Sequence, residues 1–131
     1  MERTLTVRDY MTEDLIVLAP DMNLHRAMRL FVEHDISGAP VVDSHGTLVG
    51  ILAEKDCFRA AVRSSYYAEP WGDVAAYMSS PVETLDADMA VVEVVEHFYR
   101  SSFRRYPVLS GERLVGLISR RDVLRAIESL A

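Results

Sequence analysis

Ser119 and Asp122 stand three residues apart, at the point where an apolar run gives way to a helical pattern. A helix N-terminus offers unpaired N–H donors and the positive end of the helix dipole, which suits phosphate. A carboxylate at the same place can accept hydrogen bonds from sugar hydroxyls. Ser-x-x-Asp is also, by itself, a variant capping box that only closes a helix end. What favours chemistry over bare capping is the cations nearby. Arg104, Arg105, Arg120 and Arg121 crowd one stretch of a chain whose formal net charge is −6. Helix start, carboxylate and arginines together suit a nucleotide.

The elements that must position these residues are two short apolar strands. Phe103 to Leu109 and Leu114 to Ile118 flank a polar turn at Gly111-Glu112-Arg113, and Val123, Leu124 and Ile127 then follow at helical spacing. The same arrangement occurs earlier in the chain. VRDYMTEDLIVL, from Val7, matches VAAYMSSPVETL, from Val74, at an offset of 67 residues. Asp21-Met22 then matches Asp88-Met89, Phe31 matches Phe98, and Pro40-Val41 matches Pro107-Val108. A shorter second turn lowers the offset to 66, so Gly50 matches Gly116 and Asp56 matches Asp122. The chain is a duplication.

Each copy reads as strand, helix, strand, strand, helix, preceded by a short turn at Tyr-Met. The first strands are expected at Leu15 to Leu18 and Val82 to Leu85, and Asp21, Asn23 and Asp88 are candidate helix caps. Leu24, Ala27, Met28 and Phe31, and likewise Val91, Val94, Val95 and Phe98, form helix faces for a core. The near-continuous runs VGIL and VGLI imply strands covered on both sides, hence a small three-stranded α+β unit in each copy. Neither copy is long enough to bury a good core alone.

On these residues each copy resembles a CBS domain, the regulatory motif named after cystathionine beta-synthase, and the pair resembles a stand-alone tandem (Bateman) module. The resemblance rests on the opening Met-Thr or Met-Ser, the apolar-x-Pro-Val strand, and the closing Gly-h-h-[Ser/Thr]-x-x-Asp, with h apolar. The copies run 7–65 and 74–128, joined by an aromatic connector at 66–73 that carries Tyr66, Tyr67, Pro70 and Trp71. The resemblance implies two repeats related by a pseudo-two-fold axis, clefts between them that take AMP, ADP, ATP or S-adenosylmethionine, and pairing of two chains into a flat disc. Carried over by position, Ser119 and Asp122 meet ribose and phosphate, with or without Mg. Arg104 and Arg105 reach phosphates, and backbone at Val82, Thr84 and Tyr106 holds adenine. In the first copy Asp56 is kept, but Ala53 replaces the hydroxyl, Ser37-Gly38-Ala39 brings no arginine, and Glu54 would repel phosphate. That site is expected to be the weaker.

Other classes fare less well. The acidic balance opposes a general nucleic-acid binder, no run reaches a membrane span, and Met1–Thr4 lacks a signal-peptide core. One cysteine, Cys57, fits a reducing cytoplasm, although a thiol near a helix start is also a candidate redox sensor. His25, His34, His45 and His97 lack metal-ligand spacing. No nucleophile–base arrangement is present, so the expectation is a non-enzymatic energy-sensing module. It would be homodimeric and would act on an effector protein in trans. The rival is a ligand-free structural dimerisation domain, in which Glu112 could neutralise the arginines and the connector rings cover a seam.

Overall fold

The computed structural model describes residues 5–67 and 70–130. In chain order these form α1 (Val7–Tyr10), α2 (Leu24–His34), β1 (Gly38–Val42), β2 (Leu48–Ala53), α3 (Glu54–Tyr67) and α4 (Val74–Tyr77). The second half continues with β3 (Leu85–Asp86), α5 (Val91–Arg100), β4 (Arg105–Ser110), β5 (Arg113–Ser119) and α6 (Arg120–Leu130). The fold is the expected mixture of helices and small sheets. Two details of the sequence reading fall on Met1–Thr4 and on residues 68–69 of the connector, outside the described residues. No helix among the described residues is long and apolar enough to cross a membrane.

The chain divides into two compact units, and the division does not follow the repeat. One unit is Ile16–Val82; the other joins Met1–Leu15 to Glu83–Ala131. Each unit therefore takes its strands and long helices from one copy and its leading segment from the other. In the second unit Thr12 bridges Leu117; in the first, Ser79 bridges Ile51. The glycine of each Leu-Val-Gly makes room for that crossing. A Cβ on Gly116 would lie 2.6 Å from Met11 Sδ and 2.9 Å from the Thr12 carbonyl oxygen.

In the first unit β1 and β2 pair antiparallel, from Gly38 with Ala53 to Val42 with Leu48. The strand expected at Leu15 to Leu18 reduces to a single parallel bridge between Leu18 and Val41. Leu18 N–H donates to the Pro40 carbonyl, and Val42 N–H donates to Leu18. The next rung would need an N–H from residue 20, and Pro20 has none. Its counterpart in the second copy is Ala87, whose N–H does donate to Leu109 at 2.9 Å. There β3 forms, shifted to Leu85–Asp86, and the sheet has three strands in the order β3-β4-β5. One proline separates the two sheets.

The helix faces fall as their spacing requires. Leu24, Ala27 and Phe31 are buried on α2, as are Val91, Val94 and Phe98 on α5. Asn23 caps α2, accepting from His25 N–H at 2.8 Å. Asp88 does not cap α5. The cap position falls at Ala90, and the Asp88 carboxylate instead faces Arg8 at 3.6 Å. Helix α3 extends through Tyr67, so Tyr66 and Tyr67 end a helix and are exposed, while Trp71 packs on the core of its own unit.

Candidate functional site

The start of α6 is closed reciprocally. Ser119 N–H donates to Asp122 Oδ2 at 2.9 Å, and Asp122 N–H donates to Ser119 Oγ at 3.2 Å. Ser-x-x-Asp is thus a working capping box. Capping does not exhaust the carboxylate, which has about four lone-pair sites. Arg125 Nη2 takes one more, at 2.7 Å from Oδ1.

Strand pairing brings the other expected residues to the same end of the sheet. Arg105 pairs directly with Ser119 across β4 and β5, which puts their side chains on one face. Arg120 N–H donates to the Arg104 carbonyl at 3.0 Å, fixing Arg104 beside the helix start. Thr84 directly precedes β3 in the same unit, whereas Val82 ends the other unit. The Tyr106 ring faces the opposite side of the sheet. It is fully buried against Phe98 and Phe103, with its hydroxyl donating to Ser101 Oγ at 2.8 Å. Only its backbone remains for a ligand.

The arginine cluster is smaller than its sequence suggests. Arg120 is part of the fold, since Nε donates to the Phe103 carbonyl at 2.8 Å and Nη2 to that of Ser101 at 3.3 Å. It pins the loop that leads into β4. Arg104 and Arg121 are exposed, and their side chains make no ion pair or hydrogen bond among the described residues. Glu112 cannot neutralise them, because it lies in the turn at the far end of the hairpin from Arg105 and Ser119.

The first copy shows the same frame with fewer contacts. Gly38 pairs with Ala53, Ala39 pairs with Leu52, and Glu54 N–H donates to the Ser37 carbonyl at 3.0 Å. Asp56 Oδ2 accepts from Ala53 N–H at 2.8 Å. With no hydroxyl at Ala53 the reciprocal bond is missing, and exposed Glu54 adds negative charge at the helix start. One turn of helix later, Arg59 leaves Asp56 at 3.8 Å and donates to the Tyr77 carbonyl at 2.9 Å instead.

The surroundings of Cys57 oppose a reactive thiolate. The thiol is buried, and burial, with Asp56 and then Glu54 adding to it, pushes its pKa up to about 11. This opposes the lowering expected at a helix start, because neighbouring carboxylates and loss of water outweigh the dipole. The four histidines are exposed, and no grouping of three metal-binding side chains occurs among the described residues. A cavity of about 540 Å³ lies beside Tyr106, walled by Glu83, Glu93, Glu96, His97 and Arg100. Its three carboxylates make it a poor seat for phosphate. Periodicity could not have revealed it, since these residues sit on the polar side of α5 and ahead of β3.

Comparison with known proteins agrees with this frame. A family model described as CBS domain matches twice, over residues 7–63 and 72–129. Uncharacterized protein MJ1225 of Methanocaldococcus jannaschii is 29% identical over 94% of this chain and 43% of its own length. Inosine-5'-monophosphate dehydrogenase of the same organism is 30% identical over 86% of this chain, but over only 22% of the enzyme. The chain therefore spans less than half of either curated relative. Among solved structures, CBSX2 of Arabidopsis thaliana in complex with AMP superposes with a TM-score of 0.84 at 26% identity, covering 95% of this chain and 97% of the other.

Proposed function

The chain belongs to the CBS domain family, and on that premise we propose that it is a regulatory module that binds an adenosine nucleotide at the start of α6. Asp122 accepts from the ribose hydroxyls, the Ser119 hydroxyl donates to the phosphate, and Arg104 and Arg105 neutralise it. Backbone at Thr84 and Tyr106 holds the adenine. The observation that carries this reading is the inequality of two duplicated helix starts. One has a complete capping box beside exposed cations; the other has Ala53, Glu54 and no cation at Ser37 or Gly38. Divergence in that direction suits an anion in the second copy only. That CBSX2 was solved with AMP supports the ligand class.

AMP, ADP and ATP all fit this description, the last two with or without Mg. The module would act as a homodimer in the cytoplasm, passing nucleotide occupancy to an effector protein in trans. Calorimetry with the three nucleotides tests the site. The expected result is one tight event per chain, weakened by added salt because the phosphate contacts are ionic. Two equivalent tight sites per chain, or adenosine binding as well as its phosphates, would overturn the assignment. A second reading, a ligand-free dimerisation module, is favoured by the apolar residues left exposed on α3, namely Phe58, Val62 and Tyr66. Dimers that bind none of the three nucleotides would select it.

A further inference from the structure

Arg125 and Arg59 occupy matching places, each three residues beyond the aspartate of its copy. That spacing lets both reach the carboxylate, yet they make different contacts. Arg125 Nη2 lies 2.7 Å from Asp122 Oδ1. Arg59 lies 3.8 Å from Asp56, donates to the Tyr77 carbonyl, and stacks its guanidinium 5.3 Å from the Tyr77 ring centroid. In the unit that holds Arg125 the matching tyrosine is Tyr10, from the first copy's leading segment, and it is held another way, with its hydroxyl 2.8 Å from Ser129 Oγ. Ser129 matches Arg63 in the first copy, where no hydroxyl is available. The local sequence thus leaves Arg125 on its carboxylate and draws Arg59 away.

The consequence concerns how firmly the acceptor is set. Asp122 has Oδ2 fixed by Ser119 N–H and Oδ1 fixed by Arg125, so both oxygens are oriented before any ligand arrives. One lone pair then remains on each oxygen. Two acceptors held side by side match the two O–H donors of a cis-diol. Asp56 is fixed through one oxygen only. We infer that Arg125 is a positioning residue that sets the Asp122 carboxylate for bidentate acceptance from a ribose 2',3'-diol. The inference rests on the nucleotide reading above and names a residue that touches no ligand. Its physical basis is preorganisation, in which an acceptor ordered in advance does not have to be ordered on binding.

Titration calorimetry on the full chain with AMP and with 2',3'-dideoxy-AMP tests it. Arg125→Ala should weaken AMP about tenfold, on the order of one charge-assisted hydrogen bond. It should leave the weaker dideoxy ligand unchanged, and Arg125→Lys should recover part of the loss. The exposed pair contributes little to folding, so the thermal midpoint should move little. Unchanged AMP affinity in Arg125→Ala would overturn the inference, as would equal losses for the two ligands, which would make Arg125 a phosphate or scaffold residue. An intact chain that binds none of AMP, ADP and ATP would overturn the nucleotide reading and this inference with it. Binding by the intact chain with no diol-specific loss would overturn this inference alone.

Discussion

Asp122 closes a helix and remains able to accept from a ligand, because Ser119 N–H and Arg125 occupy only part of its lone-pair capacity. The two roles predict separable losses. Asp122→Ala should lower stability by about 1 kcal/mol, as for a lost cap, and should abolish the nucleotide heat in calorimetry. Asp56→Ala should cost similar stability and leave most of the binding. Greater loss of binding from Asp56→Ala would reverse the ranking of the two sites. Cys57 gives a pH prediction of definite sign. Its folded pKa, about 11, lies above its unfolded value, so folding favours the protonated thiol. That stability is complete below the unfolded pKa of about 9 and declines as pH rises from there through the folded value. Alkylation at pH 8 should therefore be slow in the native protein and fast in denaturant; equal rates would show that the thiol is not shielded.

Among the elements, the crossing of each leading segment over the opposite copy's sheet fixes one glycine per copy. Gly116→Ala sets a Cβ 2.9 Å from the Thr12 carbonyl oxygen. The Met11 side chain can swing aside, but the backbone cannot, so a cost of about 1–3 kcal/mol is expected, read as a lower denaturant midpoint. An unchanged midpoint would mean that the segment yields. The glycine itself was plain in the sequence as part of Leu-Val-Gly, while the reason for it was not. Repeat offset, helix faces and the capping motif are local patterns, and they led to the long helices and the two hairpins and gathered Ser119, Asp122, Arg104 and Arg105 at one end of a hairpin, while the first strand of copy one failed to form. The exchange of leading segments is a long-range pairing with no local signature. Pro20 was legible in principle, since a missing N–H must cost a rung, but the rung becomes visible only once the register of Leu18 against Pro40 and Val42 is known. The partners of Arg120 and Arg125 depend on side-chain direction, which spacing alone leaves open.

At the scale of the whole molecule, each unit buries one face of its long helices and leaves apolar side chains on the other. On α3, Phe58, Val62 and Tyr66 recur at i, i+4 and i+8 with exposures of 65%, 52% and 80%. On α6, Leu124 and Ile127 repeat the feature at 61% and 43%. Isolated exposed apolar residues are ordinary, but a stripe along one helix marks a contact surface. A symmetric pair would bury the same stripe on both chains. Light scattering should then report about twice the 14.8 kDa chain mass. Replacing Phe58 and Val62 together by Asp places two charges in that contact and should yield monomers at micromolar concentration. Because both side chains already face water in the single chain, far-UV circular dichroism should be unchanged. The nucleotide residues lie off α3, where both substitutions fall, so the monomeric variant also separates the two readings of the protein. A binding module retains its single nucleotide event at reduced or equal affinity, whereas a purely structural dimer has no such event in either form. A wild-type chain that is already monomeric at this concentration would remove the contact surface from the account and leave the α6 site to stand by itself.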